Sequence, residues 1–343
     1  MTAPRTTPAP APPAAADRLL CFEELPARTF RRLSLDRTLA VLPVSPLEVH
    51  GPHLPLGTDV LIARAIARRS MTRLLERRPD HVAVLLPALC LGPDTVGHPG
   101  SVEVSARVTR DAVVATGDAM ARAGLRGLIL TNFHGGPRHG VALEAATRLL
   151  RKRHPGFLAL APTGEVFARI FADDQTFRAR VQALVDLSAA ELAALDGELH
   201  AGLGETSAVM AEREDLVHPD YVTLPRLETG TPRWIVRAAS ALRHLGPLVG
   251  RARARSLARD AAVLVDSLGW LRRPWMSYVG EPALARTAVG DAFLEVLSDE
   301  VAAVVDDMLA GRRRPEDLDS LGWTLRHLLA LPGGFPFQTA PPA

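Results

Sequence analysis

Cysteine is nearly absent from this chain: Cys21 and Cys90 are the only two in 343 residues. Two isolated cysteines without C-x-x-C spacing exclude a disulfide framework and a thiolate zinc site. They read as a pair of buried thiols in a reducing cytoplasm. An excess of charge of one sign is missing too. Forty basic residues stand against 38 acidic ones, for a formal net charge of +2, which gives no electrostatic reason to expect nucleic acid or an anionic membrane surface as partner. Long uncharged apolar runs are also lacking. The stretch 257–271 is interrupted by Arg259, Asp260 and Asp266, and no window reaches the ~18 residues a membrane span requires. Residues 1–17 are mostly Pro, Ala and Thr with a single Arg and no apolar core. They read as a disordered tail, not a secretory signal, and 332–343 look similarly loose within a C-terminal extension over 313–343. The expectation is a cytoplasmic protein with neither nucleic acid nor membrane as partner.

What is present is a hydrophobic content of 47%, enough for one large core over about residues 18–312. The run 38–44 (TLAVLPV) is a continuous apolar stretch of the kind buried on both faces of a sheet. A loop rich in Gly, Pro and His follows, and Asp59 then opens a helical pattern. Strands are expected at 82–86, 127–131 and 157–161, with helices at about 109–123 and 141–153 between them. A short alternating run at 101–105 reads as an edge strand or hairpin arm. Strands alternating with helices of ten or more residues predict a three-layer α/β/α domain around a mostly parallel sheet. Ligands in such sheets bind beyond the carboxyl ends of the strands, where the polar, Gly-rich loops of this chain fall. Helical segments at about 167–195 and 236–273, the second broken near Gly246-Pro247, read as insertions. A helix with an apolar stripe closes the core at 291–308.

Three clusters carry chemistry. The first, Glu48-Val49-His50-Gly51-Pro52-His53-Leu54-Pro55 followed by Gly57-Thr58-Asp59, puts carboxylates and imidazoles in one short loop. That is a ligand set for zinc, manganese or iron. The plainer alternative is a solvated loop in which Asp59 caps the next helix. The second is Asn132-Phe133-His134-Gly135-Gly136 at the end of an apolar strand; His134 is a ligand candidate or a satisfied histidine, and the glycines clear space beside it. The third is Glu198-Leu199-His200-Ala201-Gly202-Leu203-Gly204-Glu205-Thr206-Ser207. His200 there could work as an acid/base held in one tautomer by a carboxylate such as Glu198, while Glu205 could merely favour a helix dipole.

Taken together, EVHGPHLPLGTD, NFHGGP and ELHAGLGETS resemble the creatininase family, whose pattern is E-x-H-G-x-H-L-P-x-x-T-D, then N-G-H-G-G-N, then D-x-H-A-G-x-x-E-T-S. The region 277–308 resembles the family's closing stretch and last helix. The resemblance spans about residues 36–310. It implies two divalent metal ions (zinc, manganese or iron), one held by Glu48, Asp59 and His134 and the second by His50, the bridging Asp59 and Glu205. His53 would sit behind the ligands or face the substrate. His200, oriented by Glu198, would protonate the leaving nitrogen. The implied activity is cleavage of a C–N bond in a small-molecule amide, cyclic amide or formamide. The alternatives are a peptidase-like maturase of a redox-cofactor precursor peptide, of the mycofactocin type, and a non-catalytic scaffold. A homo-oligomer, in family fashion a hexamer, is also implied. Departures fall at Asp94-Thr95, His98 and Pro137, where the family carries other residues near its substrate.

Overall fold

The computed structural model describes residues 14–172, 174–195, 198–271 and 276–329. Most of the tail over 1–17 and the end of the C-terminal extension lie outside the described residues. Five strands form the sheet: β1 (Leu19–Cys21), β2 (Thr38–Pro43), β3 (Val82–Leu85), β4 (Gly127–Thr131) and β5 (Leu158–Leu160). Their order is β1-β3-β2-β4-β5, and every neighbouring pair runs parallel. Helices of six residues or more are numbered in chain order. They are α1 (Thr58–Arg77), α2 (Ala106–Arg122), α3 (Pro137–Arg153), α4 (Pro162–Ala172), α5 (Asp174–Gln182), α6 (Ala189–Ala194), α7 (Leu203–Arg213), α8 (Arg233–Ser240), α9 (Arg251–Leu271) and α10 (Thr287–Leu309).

β2 and β4 are buried throughout and largely apolar, because both faces are covered. Along β2 and just beyond it, Ala40, Leu42 and Val44 pack with Val113, Val114, Leu143 and Leu150 of α2 and α3. Leu39 and Val41 point the other way, toward Met71, Leu74, Ala302 and Val305 of α1 and α10. Strand periodicity of two thus divides one sequence between two cores, which makes the three-layer α/β/α architecture. A further apolar layer joins Ile62 and Ile66 of α1 to Ala208 and Val209 of α7 and Leu294 and Leu297 of α10. No helix among the described residues is long and apolar enough to cross a membrane.

Three expectations are corrected. The chain adds the edge strand β1, which is followed by no helix of ten residues before β2 and so lacks the strand–helix alternation that marks β5. The run 101–105 is not a strand: Val102 makes one antiparallel bridge to Leu47, since the segment is used as a loop over the sheet rim. Both cysteines are exposed, Cys21 because it ends an edge strand and Cys90 because it lies in the loop after β3. The second helical insertion is broken where expected: α8 ends at Ser240 and α9 starts at Arg251, and the stretch between them holds Gly246-Pro247 and Gly250, which has φ 88°.

Helices α7 and α10 cross so closely that a Cβ on Gly290 would lie 1.8 Å from the carbonyl oxygen of Ser207. Backbone cannot yield there as a side-chain tip can. Gly290→Ala is expected to cost about 2–3 kcal/mol, the upper range for overpacking, read as a lower urea midpoint with an unchanged slope.

Candidate metal centre and active site

Strands β2 and β4 are neighbours, with Pro43 opposite Thr131. The chain leaves β2 toward β3 on one side and leaves β4 toward β5 on the other. Their outgoing loops therefore diverge and open a crevice at the carboxyl ends, the switch point where doubly wound sheets bind ligands. The loop after β2 carries Glu48, His50 and His53 and delivers Asp59 in the first turn of α1. The loop after β4 carries His134. Asn132 shapes that loop: its Oδ1 accepts from the His134 amide (2.9 Å) and from Ser45 Oγ (3.0 Å), and its Nδ2 donates to the His134 carbonyl (2.9 Å). Gly136 has to be glycine, because a Cβ there would lie 2.3 Å from His134 Nε2 and 2.8 Å from Asp94 Cβ. Gly51 turns the first loop with φ 67°, a value glycine adopts at little cost.

Three imidazoles are locked in the same sense. His50 Nδ1 lies 3.0 Å from the Glu48 carbonyl, His134 Nε2 3.0 Å from the Pro93 carbonyl and His200 Nε2 2.8 Å from the Val49 carbonyl. A carbonyl only accepts, so each of these nitrogens carries the proton and the opposite nitrogen of each neutral ring is bare. The bare nitrogens of His134 and His50 meet carboxylates. His134 Nδ1 is 2.9 Å from Glu48 Oε2 and 3.2 Å from Asp59 Oδ2. His50 Nε2 is 3.2 Å from Asp59 Oδ1 and 3.6 Å from Glu205 Oε2. These are acceptors facing acceptors, and Glu48 Oε2 and Asp59 Oδ2 are buried with no hydrogen-bond partner among the described residues. Buried charge left in this state is costly, so the arrangement calls for positive charge between the groups.

The protonation equilibria register the same demand. Burial opposes a charge on His50, but Asp59, Glu205 and Glu48 outweigh it and push the imidazole up to about 10. His134 is raised well above its ordinary value, with Glu48 and Asp59 overcoming burial. Glu48 and Asp59 are both lowered despite burial, chiefly by His134 for the first and His50 for the second. Glu205 is pushed up to about 8 by burial, with Asp59 adding to the effect against the pull of His50. A carboxylate of this kind ionises fully once a cation arrives.

Among the described residues, two sets of three buried groups have donor atoms within 4.8 Å of one another: Glu48, Asp59 and His134, and Glu48, His50 and His200. The first set is the one read as holding one metal; the second has Glu48 and His200 in the places expected for Asp59 and Glu205, although Asp59 and Glu205 lie 3.2 and 3.6 Å from His50 Nε2. The His200 ring lies 4.1 Å from that of His50 and 4.9 Å from that of Trp270. Burial, with the charge of His50, lowers its pKa to about 4, so it stands neutral with Nδ1 as an acceptor. Glu198 does not orient it. The Glu198 carboxylate instead accepts from the amides of Gly204 (2.7 Å) and Glu205 (3.4 Å) and caps α7, because four orphan amides at a helix start compete for any nearby carboxylate. His53 sits behind the ligands, with Nε2 2.8 Å from Thr206 Oγ1.

Sequence reasoning missed the backbone that holds the ligands. Glu48 Oε1 accepts from the amide of Val96, and the neighbouring Pro93 carbonyl holds His134. That loop is pinned by buried Asp94, which has φ 69° and pairs with the amide and guanidinium of Arg138; Arg138 also reaches Glu103 at 3.2 Å. A departure from the family pattern at Asp94 and Thr95 signalled that this loop differs, but not that it braces ligands. A cavity of about 450 Å³ adjoins the cluster, with Glu205, Glu198 and Gly135 in its wall.

Two outcomes are expected. Asp59→Ala, which removes the carboxylate shared by His50 and His134, should drop metal content from about two ions per chain to one or none by elemental analysis. Metal uptake by the metal-free protein at pH 7–8 should release protons, because His50 is held at about 10 and Glu205 at about 8. Apparent affinity then tightens as pH rises toward these values. Calorimetry in buffers of different ionisation enthalpy reads this directly, and heats independent of buffer would contradict it.

The family model described as creatinine amidohydrolase matches residues 23–305. The mycofactocin precursor peptide peptidase of Mycolicibacterium smegmatis is 34% identical over 125 residues, 36% of this chain and 49% of that protein, so the chain spans about half the length of this relative. The protein of the same name from Mycobacterium ulcerans is 27% identical over 296 residues, 84% of this chain and 92% of its own length. A solved structure of creatinine amidohydrolase has the same fold, with a TM-score of 0.53 at 21% identity over 83% of this chain and 96% of that one. A match running from ahead of β2 into α10, through every loop that bears a candidate ligand, shows that the chain belongs to the creatininase family.

Proposed function

We propose that this chain is a metal-dependent hydrolase that cleaves an amide bond in a peptide or peptide-like substrate. The observation that carries the reading is the set of imidazoles whose outer N–H groups are tied to backbone carbonyls, so that their bare nitrogens face the carboxylates of Glu48, Asp59 and Glu205. In this reading Glu48, Asp59 and His134 hold one divalent cation and His50, Asp59 and Glu205 hold another. Zinc, manganese and iron all suit such donors. Bound cations would supply Lewis acidity and bring the pKa of water toward neutrality.

The chain's own residues do the rest. His200 is neutral and buried against Trp270, and its Nδ1 takes up a proton and returns it to the leaving nitrogen. The carbonyl of Val49 keeps the ring oriented while this happens. Arg138 fills the corner beside Asp94 and Glu103, so the loop that departs from the family pattern is committed to internal ion pairs. A peptide fits better than a small cyclic amide because both relatives described above are named as peptidases. A small-molecule amide stays as the second reading, favoured by the name of the family model. A cytoplasmic homo-oligomer remains part of the proposal.

The test is metal-loaded protein against a panel of short peptides, cyclic amides and formamides. Peptide hydrolysis is expected, and His200→Asn should lower kcat by about 10²–10⁴-fold, the usual weight of one acid/base group, with metal content unchanged. Loss of metal in that variant would make His200 a ligand instead. Full turnover after chelation would remove the mechanism.

A further inference from the structure

The cavity beside the metal cluster is built largely from segments that read as insertions. Phe167 on α4, Phe177 on α5 and Val263 on α9 face it, with Phe293 of α10 and Phe133 from the loop after β4. Its volume of about 450 Å³ falls within the range of small-ligand pockets, roughly 300–1,000 Å³. The aromatic wall is preformed. Phe133 meets Phe167 edge-on at 5.6 Å and Phe293 at 6.1 Å, and Phe177 meets Phe293 at 5.3 Å. Edge-to-face packing of this kind fixes ring positions before anything binds.

The charged groups in the wall are engaged by the protein. Glu198 caps α7, Asp266 Oδ1 accepts from Thr229 Oγ1 at 2.6 Å, and Arg178 Nη2 donates to the Leu195 carbonyl at 3.3 Å. The surface left to an occupant is dominated by rings and aliphatic side chains. Two residues tie the cavity to the chemistry. Glu205 lines it and also faces His50 Nε2. Phe133 lines it and directly precedes His134 in the chain.

We infer that this cavity is a side-chain pocket that selects substrates carrying a large apolar residue, aromatic above all, next to the amide bond to be cleaved. The pocket rests on the reading of the cluster as an amide hydrolase for the position of that bond, and on its own lining for the choice of side chain. An aromatic ring transferred from water into such a wall gains enough to raise affinity roughly tenfold or more over a methyl group.

The experiment is calorimetric titration of metal-loaded protein with N-acetyl-phenylalaninamide, N-acetyl-alaninamide and N-acetyl-aspartamide, free of any turnover requirement. The phenylalanine compound is expected to bind at least about tenfold tighter than the other two. Val263→Trp and, on a different helix, Val236→Trp fill the cavity and should each abolish that preference, with metal content and melting temperature unchanged. If one variant fails to fold, the other decides. Equal binding of the three amides, preference for the aspartate compound, or an undiminished preference in a folded filled variant would overturn the pocket. Failure of the hydrolase reading looks different: the phenylalanine compound binds with its preference intact, yet no peptide of the panel is cleaved.

Discussion

Everything chemical in this molecule follows from one electrostatic conflict. Backbone carbonyls take the outer protons of His50, His134 and His200 and leave bare nitrogens against buried carboxylates. With the rings neutral, Glu48 Oε2 and Asp59 Oδ2 are left with no hydrogen-bond partner among the described residues. Protons resolve it in one way, which is why burial fails to lower His50 and His134. Divalent cations resolve it in another, with two charges in place of one at each point of contact. The energy held in the unmet acceptors is therefore available to bind metal, and the fold has already covered the cost of bringing them together.

That cost is met by the sheet and its braces. Parallel strands buried on both faces carry the two ligand loops to one rim, and the change of direction between β2 and β4 separates those loops by the width of a site. Neither loop is held by its own sequence alone. Asn132 ties the His134 loop to Ser45 after β2, and the loop after β3 holds both Glu48 and His134 through the Val96 amide and the Pro93 carbonyl. The third cluster arrives on α7, whose approach to α10 at Gly290 sets where Glu205 stands.

Much of this was legible in the chain, for physical reasons. Apolar runs with helices between them dictate a parallel sheet, and carboxylate and imidazole placed right after such runs must end at its rim. Gly136 was readable as cleared space beside His134, and the clearance is real. What stayed hidden is backbone chemistry, because an amide or a carbonyl leaves no trace in residue identity. Pro93 and Val96 look like ordinary loop residues and yet hold two ligands. Glu198 misled for the converse reason: a carboxylate two positions from a histidine suggests a pair, but a helix start six positions on offers it better donors. The edge strand β1 lacks the long flanking helix that marks the other strands, and the exposure of Cys21 and Cys90 follows from rim and edge positions that composition does not encode.

The cavity shows how a family core is extended. Its walls α4 and α9 are joined to the core by residues beyond the matched region 23–305. Arg313 donates to both carboxylate oxygens of Glu165 on α4, at 2.9 Å each. Asp319 accepts from Arg259 on α9 at 2.8 Å, Asp260 accepts the Thr324 amide at 3.3 Å, and Ser320 donates to Glu144 on α3 at 2.9 Å. The guanidinium groups of Arg148 and Arg326 lie over the Trp323 ring, 4.5 and 4.8 Å from its centroid, and the cation–π contact with Arg148 anchors the segment to α3. A helix packed on the core only through its apolar face could slide. One also pinned by part-buried ion pairs to a third element keeps its side chains in register with the cluster of carboxylates and imidazoles. The C-terminal segment thus serves the site by holding α4 and α9, which carry Phe167 and Val263 of the cavity wall, and it shares a smaller cavity with His134 through Leu321 and Leu325.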